Sequence, residues 1–570
     1  MRQLASRSTA GLVVFSRTAR AAVCGWCMAM AVACGSPAGR ADDPDVLGIV
    51  AIDSYGDLKK QLTWVGGQVG QPGLAAIAES LLMVATQGRG LAGLDASRPL
   101  GVIVTANGPL PLVHGYVPVK NLDKLLESLE AAIGPAESDG DVRHLVLPSG
   151  ITIDLVERQT PSGAWAVAGI PGTGSGVDDP LPLLEKVVSP FSIGAELFPS
   201  LMPETLRQQL EMLLDRAAGA AEAQGQRIDP DAVRAFVATL RDTESLALGL
   251  AIDPPGKQLF LEASSTQVAG SDGATSSAAV PQIALTVGAP EATDGSRPTI
   301  RGYVAHAVSP AVQTQITASL DAALASEDDD PLAASLGSTF RSLVAAMMEA
   351  GGLDAAITVD TSRVTKDSPL PELTLGARIK DGATLEARVK KLLGKASSLP
   401  PGMTVAFDTG KAGAATLHTI SLDLAETPAE EQFGTSADLT LAVAPKYAFV
   451  LAGGDVKARA AAVLAASGKP DADARPIAGL QMAIDGLLSY GASMAEGDEA
   501  AQAAKAAAAA RESGGGTLEL SMRPIERGIA TRLSVDAAAL KAGTAMANAG
   551  QGAAGGVPLP EGFPIPLPVR

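Results

Sequence analysis

Cysteine and histidine are the residue types in this chain that could support nucleophilic, redox or metal chemistry. All three cysteines, Cys24, Cys27 and Cys34, lie near the beginning of the 570-residue sequence. A zinc site or a redox pair at Cys24-x-x-Cys27 would need a folded site, and zinc would need further ligands. There is no second cysteine pair in the sequence. Beyond Cys34 the chain therefore has neither a disulfide nor a thiol nucleophile.

The four histidines, His114, His144, His306 and His418, each stand alone within an apparent strand. None has the H-x-H or H-E-x-x-H spacing that brings two imidazoles to one metal ion. A G-x-S-x-G nucleophile elbow is also missing. We therefore predict no catalytic, cofactor-binding or metal-ligating residues, and expect no histidine to converge with a second histidine or with two carboxylates. Paired carboxylates remain open as a route to hydrolysis, because the chain has 62 acidic residues.

Two further stretches have the composition of ligand loops without the required pattern. Gly169–Gly176 follows a strand, as phosphate loops do, but lacks their Lys-Ser/Thr ending and precedes Asp178 and Asp179, which would repel phosphate. We interpret it as a flexible loop. Glu327–Asp330 lacks the alternating ligands and glycine turn of a calcium loop. We interpret these acidic residues as a solvated helix terminus.

The first 41 residues have the pattern of a secretory signal. They are cationic and contain no acidic residue, and their apolar part, Ala21–Cys34, is about 14 residues long. A membrane-spanning helix needs roughly 20 apolar residues. Cleavage after Ala41 predicts a periplasmic or secreted protein with no transmembrane helix in the mature chain. The alternative is a lipoprotein, because Ala31-Val32-Ala33-Cys34 resembles a lipid-attachment signal.

Composition limits the partners of the mature chain. The formal charge of −18 becomes −23 without the leader, which contains five arginines. Nucleic acids and anionic membrane surfaces are disfavoured, because binding them requires clustered Lys and Arg. Only 3% of the residues are aromatic, so the cores must consist of aliphatic side chains. We expect an unidentified protein or a component of the cell envelope as the partner, and no cofactor.

A repeated pattern indicates two related α+β domains. The segment NLDKLLESLEAAIG predicts a helix with Asn121 as N-cap and Gly134 as its C-terminal stop, and RIKDGATLEARVKKLLG repeats the pattern 260 residues later. Without a gap, Lys120 matches Lys380, Leu125 matches Leu385, Leu129 matches Val389, Ile133 matches Leu393 and Gly134 matches Gly394. Upstream, GIVAID at Gly48 is similar to GYVAHA at Gly302.

Each half also ends in a predicted hairpin, SLALGLAIDPPGKQLFLEAS in the first and TLELSMRPIERGIATRLSVD in the second. We predict a mainly antiparallel sheet in each domain, with amphipathic helices packed on one face. The predicted segments are a signal peptide at 1–41, domain 1 at 42–267, a flexible linker at 268–281, domain 2 at 282–540 and a Pro/Gly-rich disordered tail at 541–570.

Along the chain, a strand, paired helices, two strands and a further helix are followed by the segment KYAFVLAGGDVKARAAAVL. In this segment the strand Ala448–Leu451 leads into a helix over Val456–Leu464. This order resembles exported bacterial proteins of unknown function from planctomycete-like and cyanobacteria-like genomes. The resemblance covers most of both halves and implies a duplicated α+β domain. It implies no catalytic residues.

Three classes of function remain. The duplication, the missing motifs and the acidic composition favour an exported, non-catalytic protein that binds a partner or belongs to the cell envelope. The first alternative is a carrier of an apolar ligand in a cleft between sheet and helices. A carboxylate-dependent hydrolase is the least favoured.

Overall fold

The chain divides by its internal contacts into two compact units. Unit 1 comprises Met1–Leu58 and Ala76–Gly249, and unit 2 comprises Lys59–Ala75 and Leu250–Arg570. The computed structural model describes residues 46–107, 110–147, 150–173, 176–223, 239–271, 274, 283–288, 297–308, 313, 344–365, 368–394, 399, 402–425, 430, 434–469, 476–495 and 497–553. The predicted signal peptide and most of the predicted linker lie outside these residues. The boundary between the two units falls after Gly249, before the predicted linker. Residues 250–267, which were predicted to end domain 1, therefore belong to unit 2.

The sheet of unit 1 is entirely antiparallel. Its strands are β1 (Val46–Ile52), β2 (Leu100–Asn107), β3 (Leu110–Pro118), β4 (Ala136–Asp139), β5 (Val142–Val146), β6 (Thr152–Thr160), β7 (Gly163–Gly169) and β8 (Ile193–Leu197). They pair in the order β4-β5-β6-β7-β3-β2-β1-β8. Neighbouring strands in this order include pairs that are distant in the chain, such as β3 and β7.

The helices of unit 1 pack on both faces of the sheet. They are α1 (Tyr55–Gln68) and α2 (Leu74–Ala85), which both cross the unit boundary, and α3 (Leu122–Ile133), α4 (Leu181–Val188) and α5 (Glu204–Ala223). Helix α3 packs against Ala166 of β7, and α4 packs against the preceding residue, Trp165. Successive strand residues point to opposite faces. The prediction of helices on one face is therefore wrong, because β7 is apolar on both sides.

The antiparallel sheet of unit 2 is longer. Its strands are β10 (Gln258–Gln267), β11 (Ile300–Ala307), β12 (Gly352–Asp360), β13 (Glu372–Arg378), β14 (Met403–Ala412), β15 (Ala415–Asp423), β16 (Ser436–Val443), β17 (Tyr447–Ala452), β18 (Ala478–Ala483), β19 (Thr517–Ile525) and β20 (Gly528–Asp536). They pair in the order β14-β15-β16-β17-β13-β12-β11-β18-β19-β20-β10. Strand β9 (Thr243–Asp253), which crosses the unit boundary, pairs with β10. Both predicted hairpins, β9–β10 and β19–β20, are confirmed.

The helices of unit 2 are α6 (Gly382–Leu393), α7 (Val456–Ala466), α8 (Ile484–Met494), α9 (Gly497–Glu512) and α10 (Ala537–Ala553). Helix α6 lies on one face of the sheet, where Leu385 and Val389 share a core with Ala448. Helix α7 lies on the other face, where Val463 packs with Phe449. Unit 2 thus also departs from the predicted one-sided arrangement.

The two repeated helices begin as their sequences predict. The Asn121 side chain accepts a hydrogen bond from the backbone N–H of Lys124 at the start of α3. The Asp381 side chain accepts from the N–H groups of Ala383 and Thr384 at the start of α6. These caps satisfy backbone donors that have no partner within the helix.

The predicted disordered tail begins too early. Residues 541–553 belong to helix α10, because the stretch after β20 is rich in alanine, the strongest helix former. Ala538, Ala539 and Ala542 are buried at its start. Residues 554–570 lie outside the described part of the chain. Among the described helices, none combines the length and the apolar character that a membrane-spanning helix requires.

Candidate functional site

The four histidines all lie in strands, as predicted: His114 in β3, His144 in β5, His306 in β11 and His418 in β15. Within each unit, the two histidines do not occupy neighbouring strands. His144 pairs with Asp154 on the adjacent strand, with Nδ1 2.7 Å from the carboxylate. His418 has the more complex surroundings.

His418 lies opposite an irregularity in the hairpin β14–β15. The strand register shifts between Ala406 and Gly410, and Asp408 within this bulge has a left-handed backbone with φ of 56°. The bulge removes the ordinary cross-strand partner of the Asp408 N–H group. That group donates instead to Nδ1 of His418, at 3.1 Å. The imidazole therefore holds the bulge in place.

Two carboxylates converge on this histidine. One ligand atom each from Glu386, Asp408 and His418 lies within 4.8 Å of the other two. His418 Nε2 is 3.7 Å from Glu386 on α6, and its Nδ1 is 4.0 Å from the Asp408 carboxylate. The expectation that no histidine would converge with two carboxylates is therefore wrong for His418.

Lys390 occupies the space between the two carboxylates. Its ammonium group lies 2.8 Å from Glu386 Oε1 and 2.9 Å from Asp408 Oδ1. The hydrogen bonds with Glu386 and Asp408 raise the pKa of Lys390, and the hydrogen bond from Lys390 lowers the pKa of Asp408. Lys390 is therefore held as a cation rather than as a nucleophilic amine, and Asp408 is held as an anion that cannot act as a general acid.

The buried imidazole of His418 is held in its neutral form. Its side chain is 1% exposed. Burial lowers its pKa below 6.5 and Lys390 lowers it further, whereas Glu386 and Asp408 oppose this shift. Because Nδ1 accepts the Asp408 N–H group, the proton of the neutral ring must be on Nε2. Within the described residues Nε2 has no hydrogen-bond partner.

This arrangement opposes both metal binding and acid–base catalysis. A metal ion would have to displace the ammonium group of Lys390, and its binding to Nε2 would require a proton on Nδ1. That proton would face the N–H donor of Asp408. We conclude that Glu386, Lys390, Asp408 and His418 fasten α6 to the β14 bulge and do not form a reaction centre.

The neutral His418 predicts a pH dependence of stability. The folded state binds a proton at His418 less readily than the unfolded chain does. The contribution of the neutral His418 to the free energy of unfolding is therefore complete above about pH 6.5 and is lost as the pH falls below that value. In His418→Asn the amide oxygen can still accept the Asp408 N–H group, but the side chain does not titrate. We expect the free energy of unfolding, measured by urea denaturation, to decrease less between pH 7 and pH 5 in this variant than in the wild type.

His306→Asn is the matched control, because His306 Nδ1 lies near the carbonyl of Ala307 and not near a β-bulge. The comparison of the two variants separates the effect at His418 from the general effect of replacing a strand histidine with asparagine. An unchanged slope in His418→Asn would contradict the assignment of a neutral His418.

The glycine-rich stretch after β7 has a packing role. Gly176 has φ of 69°, and a Cβ atom there would collide with the hydroxyl group of Tyr116. The neighbouring Val177 N–H group donates to that hydroxyl at 2.8 Å. Burial raises the pKa of Tyr116. The glycine therefore permits a close approach to a buried tyrosine.

A different kind of candidate site lies on the sheet of unit 2, where one face of β18, β19, β20 and β10 is apolar. Leu480, Leu520, Leu533 and Leu261 are directly opposite one another across these four strands. Directly opposed residues share a face, as do alternate residues along a strand. We call this surface the leucine face. Its twelve residues are Leu259, Leu261, Ala263, Ala478, Leu480, Met482, Leu518, Leu520, Met522, Thr531, Leu533 and Val535.

The leucine face is partly open to solvent. Leu261 is 38% exposed, Leu520 is 40% exposed and Met522 is 36% exposed. Large exposed apolar side chains that are scattered singly are ordinary, but a contiguous group indicates an interaction surface. Leu520 and Met522 lie on β19 and Leu261 lies on β10, and Leu533 of the intervening strand β20 lies directly between Leu520 and Leu261. The leucine face is therefore the best candidate for a binding site.

The opposite face of the same strands carries a charge network. Glu262 is 8% exposed and accepts hydrogen bonds from Arg523 at 2.9 Å and from Arg532 Nε at 2.7 Å. The Arg532 guanidinium lies 4.1 Å from the ring centroid of Phe260. Glu262 is thus buried between two arginines, although the Arg523 side chain itself is 50% exposed.

Sequence reasoning found neither of these two features. The i, i+4 spacing of Glu386 and Lys390 is visible on the predicted helix, but the bulge that brings Asp408 to them is not. The sequence predicts each hairpin separately. Only the pairing of β10 with β20 joins the two alternating patterns into one surface.

No protein-family model matches the chain, and no significant match was found among the curated proteins or the solved structures.

Proposed function

We propose that this chain is an exported, non-catalytic binding protein that holds an extended apolar segment of a cell-envelope protein on the leucine face. The observation that carries the proposal is the row of four leucines across β18, β19, β20 and β10, which is apolar and partly open to solvent. Export is inferred from the cationic, then apolar leader. The position of Lys390 between the two carboxylates argues against hydrolysis.

The dimensions of the leucine face favour a short segment over a whole protein surface. Four strands about 4.8 Å apart and three rows of side chains about 6.8 Å apart give a surface of about 14 by 14 Å between outer Cα atoms. A stable protein–protein interface buries about 800 Å² on each partner, several times this area. A few residues of extended chain with aliphatic side chains would fit.

We also propose that the chain contains two related domains. The order β4-β5-β6-β7-β3-β2-β1-β8 of unit 1 is the same as the order β14-β15-β16-β17-β13-β12-β11-β18 of unit 2 when elements are matched in chain order. Helices α3 and α6 follow corresponding strands and begin with Asn121 and Asp381 as corresponding caps. This shared connectivity favours a duplication over an accidental resemblance of alanine-rich sequences.

A matching contact between glycine and leucine supports the same proposal. Gly48 in β1 is opposite Leu197 of β8, and Gly302 in β11 is opposite Leu480 of β18. At each glycine, a Cβ atom would lie 3.3 Å from a Cδ1 atom of that leucine. Both leucines pack over a position that has no side chain. Leu480 also belongs to the leucine face, so the repeated core positions the proposed site.

Photocrosslinking in cells of the native host tests the binding proposal. We expect a photoreactive p-benzoylphenylalanine at position 520 to form a covalent link to an envelope protein, and the linked peptide to be an extended apolar segment. The physical reason is that residue 520 points out of the leucine face. Position 521 is the matched control, because it lies on the same strand and points to the opposite face. Mass spectrometry of the linked peptides is the measurement.

Leu533→Asp in the chain labelled at position 520 should abolish the link, because a charge directly opposite on β20 would disfavour an apolar segment. Circular dichroism of the full chain checks that this variant folds. Equal products from positions 520 and 521, or no product from position 520, would overturn the proposal. A lipid adduct at position 520 would replace it with the alternative, a carrier of an apolar ligand.

A further inference from the structure

We infer that helix α2 docks the protein on a lipid bilayer, with its exposed side inserted into the interface of a membrane whose headgroups are zwitterionic. The inserted residues belong to unit 1, which contains the chain from Ala76 to Gly249. The inference is independent of the leucine face, which lies in unit 2. Such a contact would place the chain at a membrane surface.

The sides of α2 are reversed relative to those of an ordinary surface helix. Ala75 is buried, and Val84 follows it by nine residues, or two and a half turns, so Val84 lies on the opposite side. Ile77, Leu81 and Val84 form one stripe on this outer side and are 54%, 67% and 78% exposed. A surface helix normally turns such side chains toward the core. A contiguous exposed group of this kind indicates an interaction surface.

The exposed side of α2 carries no charge, and its single hydroxyl group has a partner. Eight of the twelve residues of the helix are exposed, and Ser80 is the only polar residue among them. The Ser80 hydroxyl donates to the carbonyl group of Ala76 at 2.7 Å, within the helix. Glu79, the one charged residue of α2, follows Ala75 by four residues and therefore lies on the inner side. Because hydrocarbon offers no partner to a polar group, this composition suits lipid.

The dimensions of the exposed side favour lipid over a second protein surface. The helix is about 18 Å long and about 10 Å wide, so a flat partner would cover roughly 180 Å², against about 800 Å² per partner in a stable interface. The same limit applies to a second copy of this chain. The exposed residues also occupy more than half of the helix circumference. Lipid chains can surround such a helix, whereas a flat protein surface cannot.

The C-terminal end of α2 is held against the body of unit 1. Thr86, which follows the helix directly, is buried. Arg89 donates to the carbonyl group of Glu127 on α3 at 2.7 Å and lies 3.9 Å from the carboxylate of Glu130. At about 18 Å, α2 is too short to cross a hydrocarbon core of roughly 30 Å, so it must lie in the plane of the interface.

Vesicle flotation of the mature chain, residues 42–570, tests the inference. We expect weak, reversible binding to phosphatidylcholine vesicles at millimolar lipid, because a few partly exposed side chains bury less apolar surface than an acyl chain, whose own binding is marginal. Leu81→Glu with Val84→Glu should weaken this binding about hundredfold, or about tenfold for each apolar side chain that is lost. Both positions are exposed, so the variant should fold, and circular dichroism checks this.

The matched control is Ala461→Glu with Ala465→Glu, which adds the same charge to exposed positions of helix α7 in unit 2. No large apolar side chain is exposed on α7, so this variant should float like the wild type. Equal losses in the two double variants, or a wild type that does not float, would overturn the inference. Stronger binding to vesicles that contain phosphatidylglycerol would also overturn it, because a chain of formal charge −23 is repelled by anionic lipid.

A fluorescent label identifies the inserted residue. The sequence has no cysteine beyond Cys34, so Val84→Cys gives the mature chain a single site for the environment-sensitive label NBD. We expect its emission to shift to the blue when phosphatidylcholine vesicles are added, and no shift for the label in Ala465→Cys. A shift at position 84 that needs no lipid and grows with protein concentration would assign the surface to a second copy instead. Flotation without a shift at position 84 would assign the lipid contact to another part of the chain, and either result overturns the inference.

Discussion

Trp165→Ala is expected to cost unit 1 about 3 to 5 kcal/mol of stability, the range for truncating a fully buried tryptophan. Trp165 has no exposed surface and lies in a core with Ile49, Tyr116 and Leu184. Its indole N–H group donates to the Ser162 hydroxyl at 3.1 Å. The neighbouring strands cannot close the cavity without breaking the sheet.

Hydrogen exchange measured by mass spectrometry gives a reading specific to unit 1. We expect amide protection in β3 and β7 to fall in Trp165→Ala, while protection in β16 and β17 of unit 2 stays unchanged. Trp165→Phe is the control that keeps an aromatic ring, and its loss should be clearly smaller. Equal losses in the two variants would show that cavity formation is not the cause.

Asp354→Ala is expected to have a comparable effect on unit 2, about 3 to 5 kcal/mol, because it removes one partner of a buried ionic network. The Asp354 carboxylate has no exposed surface. It accepts hydrogen bonds from the N–H groups of Thr286 and Val287, and Nε of Arg378 lies 3.6 Å away. Without the carboxylate these donors would be buried without a partner.

Asp354→Asn separates charge from hydrogen bonding. The amide oxygen can still accept from the backbone of residues 286 and 287, so we expect Asn to lose less stability than Ala. Urea denaturation followed by hydrogen exchange in β12 and β13 measures both variants. A loss in Asp354→Asn as large as that in Asp354→Ala would show that the charge, through Arg378, is the dominant contribution.

Local chemistry in the sequence predicted individual elements well. Asn121 marks the start of α3 because its short side chain accepts a backbone N–H group, and this interaction depends only on neighbouring residues. Alternation of apolar residues likewise predicted β19 and β20, because the two-residue period follows from strand geometry alone. The sequence was less informative about which faces of the sheet are covered by helices. The apolar run AWAVA in β7 is buried on both sides, and the prediction of one-sided packing overlooked this.

The sequence by itself determined the alternation and the helix caps, which act over a few residues, and the repeated order of elements from which the two domains were inferred. Tertiary structure alone decided the two candidate sites. His418 meets Glu386 and Asp408 only because a bulge shifts the register of β14, and a shift of register follows from packing across strands rather than from any local preference. The leucine face exists only because β10 pairs with β20, strands separated by about 270 positions in the chain. Contacts between such distant strands depend on the folded sheet as a whole, so no short stretch of sequence encodes them.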